Sequence, residues 1–519
     1  MMKLNFSAIA VAVLLSGCAA GPDFVHPAAP SVARYTVEPL TGDSGAQRLV
    51  AGQDVPSRWW TLFGSDELNA LVDAALAANP DLQAAEAGLR AARELAAAQR
   101  GAYAPSVDLQ LTPSRQQVAD SLSSPTASGT NLYTLHTAQL NIGYAPDVFG
   151  GTRRAVEQGD AQADVARAQR DAARLTLVSN LVLAAINEAS LHAQLDLQRS
   201  LTDSARQQMD AVRKQQQAGQ LGAADVAAQE ALLAQAEAGL PPLEKQLAQQ
   251  RNLLAVLTGR LPGDDDGNGA AHRSSKADAI REGAGDHGGS PEHGAGREAG
   301  GEARHAVDGG HAALRLDFAS LRLPEQLPLS LPARLVEQRP DIRAAEAQLH
   351  AASAAIGIAQ AARLPDISLN ATLGSSALTT GTLFNAGTGF WSIGANLVQP
   401  LFHGGALMHQ QRAAEASYEQ SAAQYRCTVL TAFQNVADTL HAIDADARGL
   451  RASANAEQAA ARSLAIAQRQ WQLGAVGHPA VLQAEQAYRQ AVMGLAQAQT
   501  ARYADTVALF QALGGGWAE

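Results

Sequence analysis

The chain contains two copies of one plan, and that duplication limits what it can fold into. Asn79-Pro-Asp-Leu-Gln-Ala-Ala-Glu-Ala recurs as Arg339-Pro-Asp-Ile-Arg-Ala-Ala-Glu-Ala. At the same spacing, Ala104-Pro-Ser-Val-Asp-Leu matches Leu364-Pro-Asp-Ile-Ser-Leu. Further on, Val148-Phe-Gly matches Leu401-Phe-His, and Gln217-Ala-Gly-Gln-Leu-Gly matches Gln472-Leu-Gly-Ala-Val-Gly. Gly259 falls opposite Gly514. The order is kept throughout, which chance does not produce. Each half reads as a helix, two strands, a very long helix, a glycine turn and a returning helix.

The strands show a period of two. Val107, Leu109 and Leu111 alternate with Asp108, Gln110 and Thr112, over about 106–118. Ala138, Leu140, Ile142 and Tyr144 alternate with Thr137, Gln139, Asn141 and Gly143, over about 134–148. The second half repeats this at about 366–374, through Ile367, Leu369, Ala371 and Leu373, and at about 390–398, through Trp391, Ile393, Ala395 and Leu397. The length suits a membrane strand of ~9–11 residues, although the same alternation describes a half-buried sheet in a soluble domain. The Ser/Thr/Gly-rich links at 119–132 and 374–389 read as exposed hairpin loops. If the strands lie in lipid, four cannot close a barrel, and an open edge is not tolerated there. Several chains must then share one barrel, and the physics alone does not choose their number.

Two runs free of proline, from Thr152 to about Gln217 and from Ala406 to about Leu473, predict helices of coiled-coil length. At ~1.5 Å per residue each would extend about 100 Å. Aromatics are only 4% of the residues, and alanine-rich contact positions let such helices approach closely. Cys427, set among Tyr425, Val429, Leu430 and Phe433, reads as a small buried apolar residue. No stretch approaches the ~18 uninterrupted apolar residues of a membrane helix.

The N-terminus carries Lys3, a short apolar run from Leu4 to Leu14, and Leu15-Ser-Gly-Cys18. This predicts a secretory signal over 1–17 with a lipobox, Cys18 becoming the acylated first residue of the mature chain. Ala19, rather than an aspartate, follows it and points to the outer membrane. With Cys18 acylated, Cys427 has no cysteine partner in the chain. Residues 263–312 are rich in Gly, Ala, His and charge and read as a solvated insert. Its histidines, 272, 287, 293, 305 and 311, are irregularly spaced without cysteine, so a metal site is the weaker reading. Gly283-Ala-Gly-Asp-His-Gly fits a dinucleotide fingerprint only on paper, because no strand precedes it and no helix follows. The sequence holds no CxxC pair, HExxH or nucleophile elbow. The net charge of −11 leaves no basic field for nucleic acid.

Together, Cys18-Ala-Ala-Gly-Pro-Asp-Phe, Trp59-Trp-Thr-Leu-Phe, Asn79-Pro-Asp-Leu, Leu331-Pro-Ala-Arg-Leu-Val-Glu-Gln-Arg-Pro-Asp-Ile-Arg-Ala-Ala-Glu and Gln399-Pro-Leu-Phe-His-Gly-Gly resemble the TolC-like outer-membrane efflux proteins. The likeness is to the lipid-anchored branch, OprM-like and of NodT type, and it covers nearly all of the mature chain except the insert. It implies a mainly α protein with a membrane β-barrel: a homotrimer whose four strands per chain make a 12-stranded barrel, continued by a long periplasmic α-helical barrel. It divides the chain into a lipidated segment over 18–78, a first repeat over 79–262, the insert, a linker over 313–338 and a second repeat over 339–519. It implies a periplasmic adaptor and an inner-membrane RND-type transporter as partners, outer-membrane lipid around the barrel, no enzymatic activity, and no cofactor beyond the lipid on Cys18.

In such proteins the adaptor docks at the turns of the helical hairpins, which correspond here to Gly219, Leu221, Gly474 and Val476. The tips also form a periplasmic gate with acidic residues after the turn glycine. Asp225 matches, whereas the second hairpin carries Ala480 and Gln483, a departure from the pattern. Three Asp225 carboxylates would focus cations at the constriction; alternatively Asp225 caps the returning helix. The function implied is a passive exit duct for small toxic compounds, the alternative being the outer-membrane duct of a type I protein secretion system.

Overall fold

The computed structural model describes residues 20–32, 34–37, 47–119, 131–262, 316 and 318–516. Cys18 and the insert over 263–312 lie outside the described residues. The elements follow the duplicated plan. A short strand β1 (Arg48–Ala51) precedes α1 (Asp66–Ala78) and α2 (Pro80–Arg100). Strands β2 (Ser106–Gln117) and β3 (Leu132–Tyr144) lead into α3 (Gly151–Gln217), which turns back as α4 (Ala223–Ala238) and α5 (Leu240–Leu257). The second half runs through β4 (Gln326–Leu329), α6 (Pro332–Gln338), α7 (Pro340–Ala361), β5 (Asp366–Ala377) and β6 (Gly389–Val398). It ends in α8 (Ala406–Gln472) and α9 (His478–Ala512). The second strand therefore stops before Pro146, four residues short of the expected 148, and β5 runs three residues past 374.

The long helices α3 and α8 have 67 residues each. The returning helices differ between the halves. α9 is one helix, while the first half breaks after Ala238. Pro241 and Pro242 cause the break, since neither has an N–H to donate to the carbonyl four residues back. The Gln198 amide takes up the Ala236 carbonyl nearby, at 2.7 Å.

The two repeats do not form separate bodies. Among the described residues, one compact unit lies within 20–30, 85–171 and 340–431, and the other within 31–84, 172–339 and 432–516. Each unit thus draws on both halves. The first contains an antiparallel sheet of order β2-β3-β5-β6. The second contains the parallel pair β1–β4 and a core in which Trp59, Phe63 and Phe510 are almost wholly buried. Trp59 packs on Phe510 with ring centroids 5.3 Å apart, and Tyr503 donates to the Leu321 carbonyl at 2.8 Å.

The second unit also shows why the repeated Asn79 and Arg339 segments look alike. Asn79 caps α2 by accepting from the Leu82 N–H at 3.0 Å, and its amide donates to the Leu257 carbonyl at the end of α5. Arg339, at the equivalent place before α7, donates to the Ala512 carbonyl at the end of α9, at 2.6 Å. Each copy therefore ties the start of its first helix to the end of its last.

Cys427 is exposed, which corrects the expectation of burial. The buried stripe of α8 runs through Tyr425, Val429, Ala432, Val436, Leu440, Ile443 and Ala447. Cys427 lies two residues from Tyr425 and two from Val429, which at ~100° per residue places it on the opposite side of the helix.

Candidate functional site

The sheet is the first functional element. Its register places like with like across the strands. Leu109 pairs with Leu140 and Leu140 with Leu373, and Leu373 pairs with Trp391. Val107, Ile142, Ala371 and Ile393 form a parallel row. Between them Asp108, Asn141, Thr372 and Ser392 make a polar row. The polar face is tied laterally: the Gln139 and Asn141 side-chain amides donate to Gln110 Oε1, and the Thr372 hydroxyl donates to Asn141 Oδ1. No core covers the apolar face. Leu109, Trp391 and Ile393 are each more than 70% exposed. A half-buried sheet of a soluble domain would cover that row, so the exposure separates the two sequence readings in favour of lipid.

The second element is the pair of helical turns, which share one geometry. Gly219 has φ +74° and Gly474 φ +72°. In the first turn the Gly219 N–H donates to the Gln216 carbonyl and the Gln220 N–H to the Gln215 carbonyl, both at 2.9 Å. In the second, Gly474 donates to Trp471 and Ala475 to Gln470 in the same way. This paired closure needs a left-handed residue after the helix, which glycine supplies without strain. Leu221 and Val476 sit in the turns, half-buried.

Asp225 caps α4, accepting from the Gly222 N–H at 3.0 Å. Ala480 occupies the matching position of α9 and offers no such acceptor. The α9 side instead supplies His478, a residue that the repeat and the helical periodicity did not single out. His478 is buried, its ring lies 5.2 Å from that of Trp471, and both ring nitrogens lack a hydrogen-bond partner. Burial pushes its pKa down, while Asp225 and Glu485 pull it up less strongly. The signal that could have found it was the departure itself: His478-Pro479 stands where the first copy has Ala223-Ala224.

The third element is the segment just after Cys18. The Ala20 N–H donates to the Phe149 carbonyl at 3.0 Å. Arg154, buried on α3, donates to the carbonyls of Ala20 and Gly21 and pairs with Asp23 and Glu157, the last two at 2.7 Å. Gly21 lies so close to Gly357 that a Cβ would fall 2.4 Å from its Cα. Phe24 stacks on His350 at 4.3 Å. Burial works against the charge of Glu157, but bonds from Arg154 and His350 outweigh it and hold the carboxyl below its usual range. The chain is thus fixed two residues after Cys18. Among the described residues no cluster of His, Cys, Asp and Glu could hold a metal ion, and no helix is long and apolar enough to cross a membrane.

Residues 71–260 and 331–515 match the model of the family described as outer membrane efflux protein. The two stretches coincide with the two copies, and the gap between them contains the insert. The chain is 29% identical over 525 residues to the pyoverdine export outer membrane protein OpmQ of Pseudomonas aeruginosa, covering 100% of this chain and 98% of that one. It is 27% identical to the toluene efflux pump outer membrane protein TtgF of Pseudomonas putida, covering 99% and 98%. Among solved structures, the outer membrane protein VceC of Vibrio cholerae superposes with a TM-score of 0.73 at 26% identity, covering 89% of this chain and 99% of that one.

Proposed function

The chain belongs to the outer membrane efflux protein family, and on that premise we propose that three copies of it form the passive exit duct of a tripartite pump for small toxic compounds. The family is one of transport ducts rather than enzymes. The observation that carries the reading is the sheet: four strands with an uncovered apolar row on one face, a hydrogen-bonded polar row on the other, and an open edge at β2 and at β6. Such a sheet is stable in lipid only when its edges pair with other copies, and three copies supply twelve strands.

Cys18, acylated, tethers each copy to the outer membrane, and the strap from Ala20 to Phe24 fixes where that tether leaves the fold. The turns around Gly219 and Leu221, and around Gly474 and Val476, present the docking points for a periplasmic adaptor. An inner-membrane RND-type transporter supplies the energy. Asp225 spends one carboxylate oxygen on its helix cap, and three copies of it supply the acidic groups of a periplasmic gate.

The test is a susceptibility panel on a strain lacking this protein. The intact chain should restore resistance, and a chain with Gly219→Glu and Gly474→Glu should not, while still reaching the membrane. Identical susceptibility with and without the protein across antibiotics, dyes, detergents and solvents would sink the small-compound reading. A change in the secreted proteins instead would favour protein export.

A further inference from the structure

We propose that His478 is a proton-operated latch of the tip: uncharged, it holds the start of α9 against α4, and on taking a proton it lets the two part. The inference rests on the reading that these tips gate the duct.

The argument begins with an imidazole that is 5% exposed and has neither ring nitrogen in a hydrogen bond. A neutral imidazole survives such a place at modest cost, because it acts partly as an apolar plate against Trp471. An imidazolium there would carry two N–H donors with nothing to accept them, and burying an unpaired charge costs far more.

The charged groups acting on the ring are Asp225 from α4 and Glu485 from its own helix. Neither reaches a ring nitrogen, both of which lack a hydrogen-bond partner. Asp225 accepts from the Gly222 N–H through one oxygen, and Glu485 pairs through one oxygen with Arg489 at 2.6 Å while its other is buried without a partner. Trp471, the aromatic neighbour from α8, offers no acceptor oxygen. The geometry therefore favours the uncharged ring while α9 is docked. Undocking would expose the ring to water, where an ordinary histidine titrates near ~6.5. Acid then favours the undocked arrangement by linkage, since that state binds the proton more tightly.

The same comparison explains why the device is present in one hairpin only. The first copy places Ala223 at the start of its returning helix, with Asp225 as a cap. The second copy places His478 there and Ala480 at the cap position. One returning helix thus begins with a capping carboxylate and the other with a buried titratable ring.

The experiment is single-channel conductance of the purified full-length protein in planar bilayers, with the pH varied on the tip side. Lowering it from about pH 7.5 to about pH 5.5 should raise the open-to-closed ratio by up to about tenfold. His478→Phe keeps a ring that fills the site, and His478→Gln keeps polarity without titration in this range. Both should form the same trimers and lose the acid response. A wild-type channel indifferent to pH, or an acid response retained in both variants, overturns the latch and leaves the duct intact. Absence of current from every protein overturns the duct itself, and the latch with it.

Discussion

At Asp446 on α8, burial is the largest influence and pushes the carboxyl up to about 6; a hydrogen bond and repulsion from Asp505 on α9 add to it, and Arg502 opposes. The folded state therefore holds this proton more tightly than the unfolded chain, whose aspartates titrate near ~3.9. The sign follows: stability is highest below the unfolded value and falls as pH rises through the folded one, between about pH 4 and about pH 6. Asp446→Asn should flatten that slope and leave the protein harder to melt near neutrality. Circular dichroism melts of the detergent-solubilised protein check this, and an unchanged slope in the variant would assign the effect elsewhere. Two glycines make a second test at this scale. Gly219 and Gly259 share the left-handed backbone, at φ +74° and +71°. A Cβ at Gly219 meets nothing within 4 Å, whereas at Gly259 it falls 2.4 Å from the Ala78 carbonyl oxygen. Gly219→Ala should cost only the backbone penalty, roughly 1–2 kcal/mol. Gly259→Ala should cost more, since the α1–α5 contact must open as well, and its melting temperature should be the lower of the two.

The strands make the sharpest prediction among the elements, because each has a lipid row and a polar row one residue apart. Ile393→Arg places a charge on the uncovered apolar face, where a membrane barrel loses roughly 2–4 kcal/mol near its midplane and less near the interfaces. Ser392→Arg places the same charge on the polar face. The first should reduce the amount of assembled protein in outer-membrane fractions, and the second should leave it near normal; equal yields would mean that the rows are not a lipid face and a lumen face. This alternation was readable in the sequence, as were the two long helices and the glycine turns, because each is a periodic or local signal. The break at Gly239 was equally local, written in Pro241-Pro242, yet it interrupts a run whose counterpart in α9 does not break. What the sequence did not display depends on partners far away in the chain. Arg154 gives no sign in α3 that it holds Ala20, Gly21 and Asp23. Cys427 has apolar neighbours along the chain but faces away from the stripe they form. His478 packs against Trp471 of the preceding helix and feels the charge of Asp225 in the other repeat.

For the whole molecule, the decisive fact is that one chain brings an even number of antiparallel strands in the order β2-β3-β5-β6. Since neighbours alternate in direction along the sheet, β6 runs opposite to β2. The free edge of β6 in one copy can therefore meet the free edge of β2 in the next as an ordinary antiparallel pair, and the same step repeated closes a ring without leaving an edge. An odd number of strands would have forced a parallel seam at every junction. The duplication thus has a consequence beyond doubling: two hairpins per chain keep every seam antiparallel. Cysteines on the polar face should expose those seams. In a Cys427→Ser background, Ser392→Cys or Asn396→Cys on β6, combined with Asp108→Cys, Gln110→Cys or Thr112→Cys on β2, should include pairs close enough for a disulfide between copies. Oxidised membranes should then yield covalent dimers and trimers on non-reducing gels, dissolved by reductant, and each parent single variant should stay monomeric. If every pair in that set fails while the protein remains in the membrane, β2 and β6 do not meet across copies, and the shared barrel would have to close through other strands.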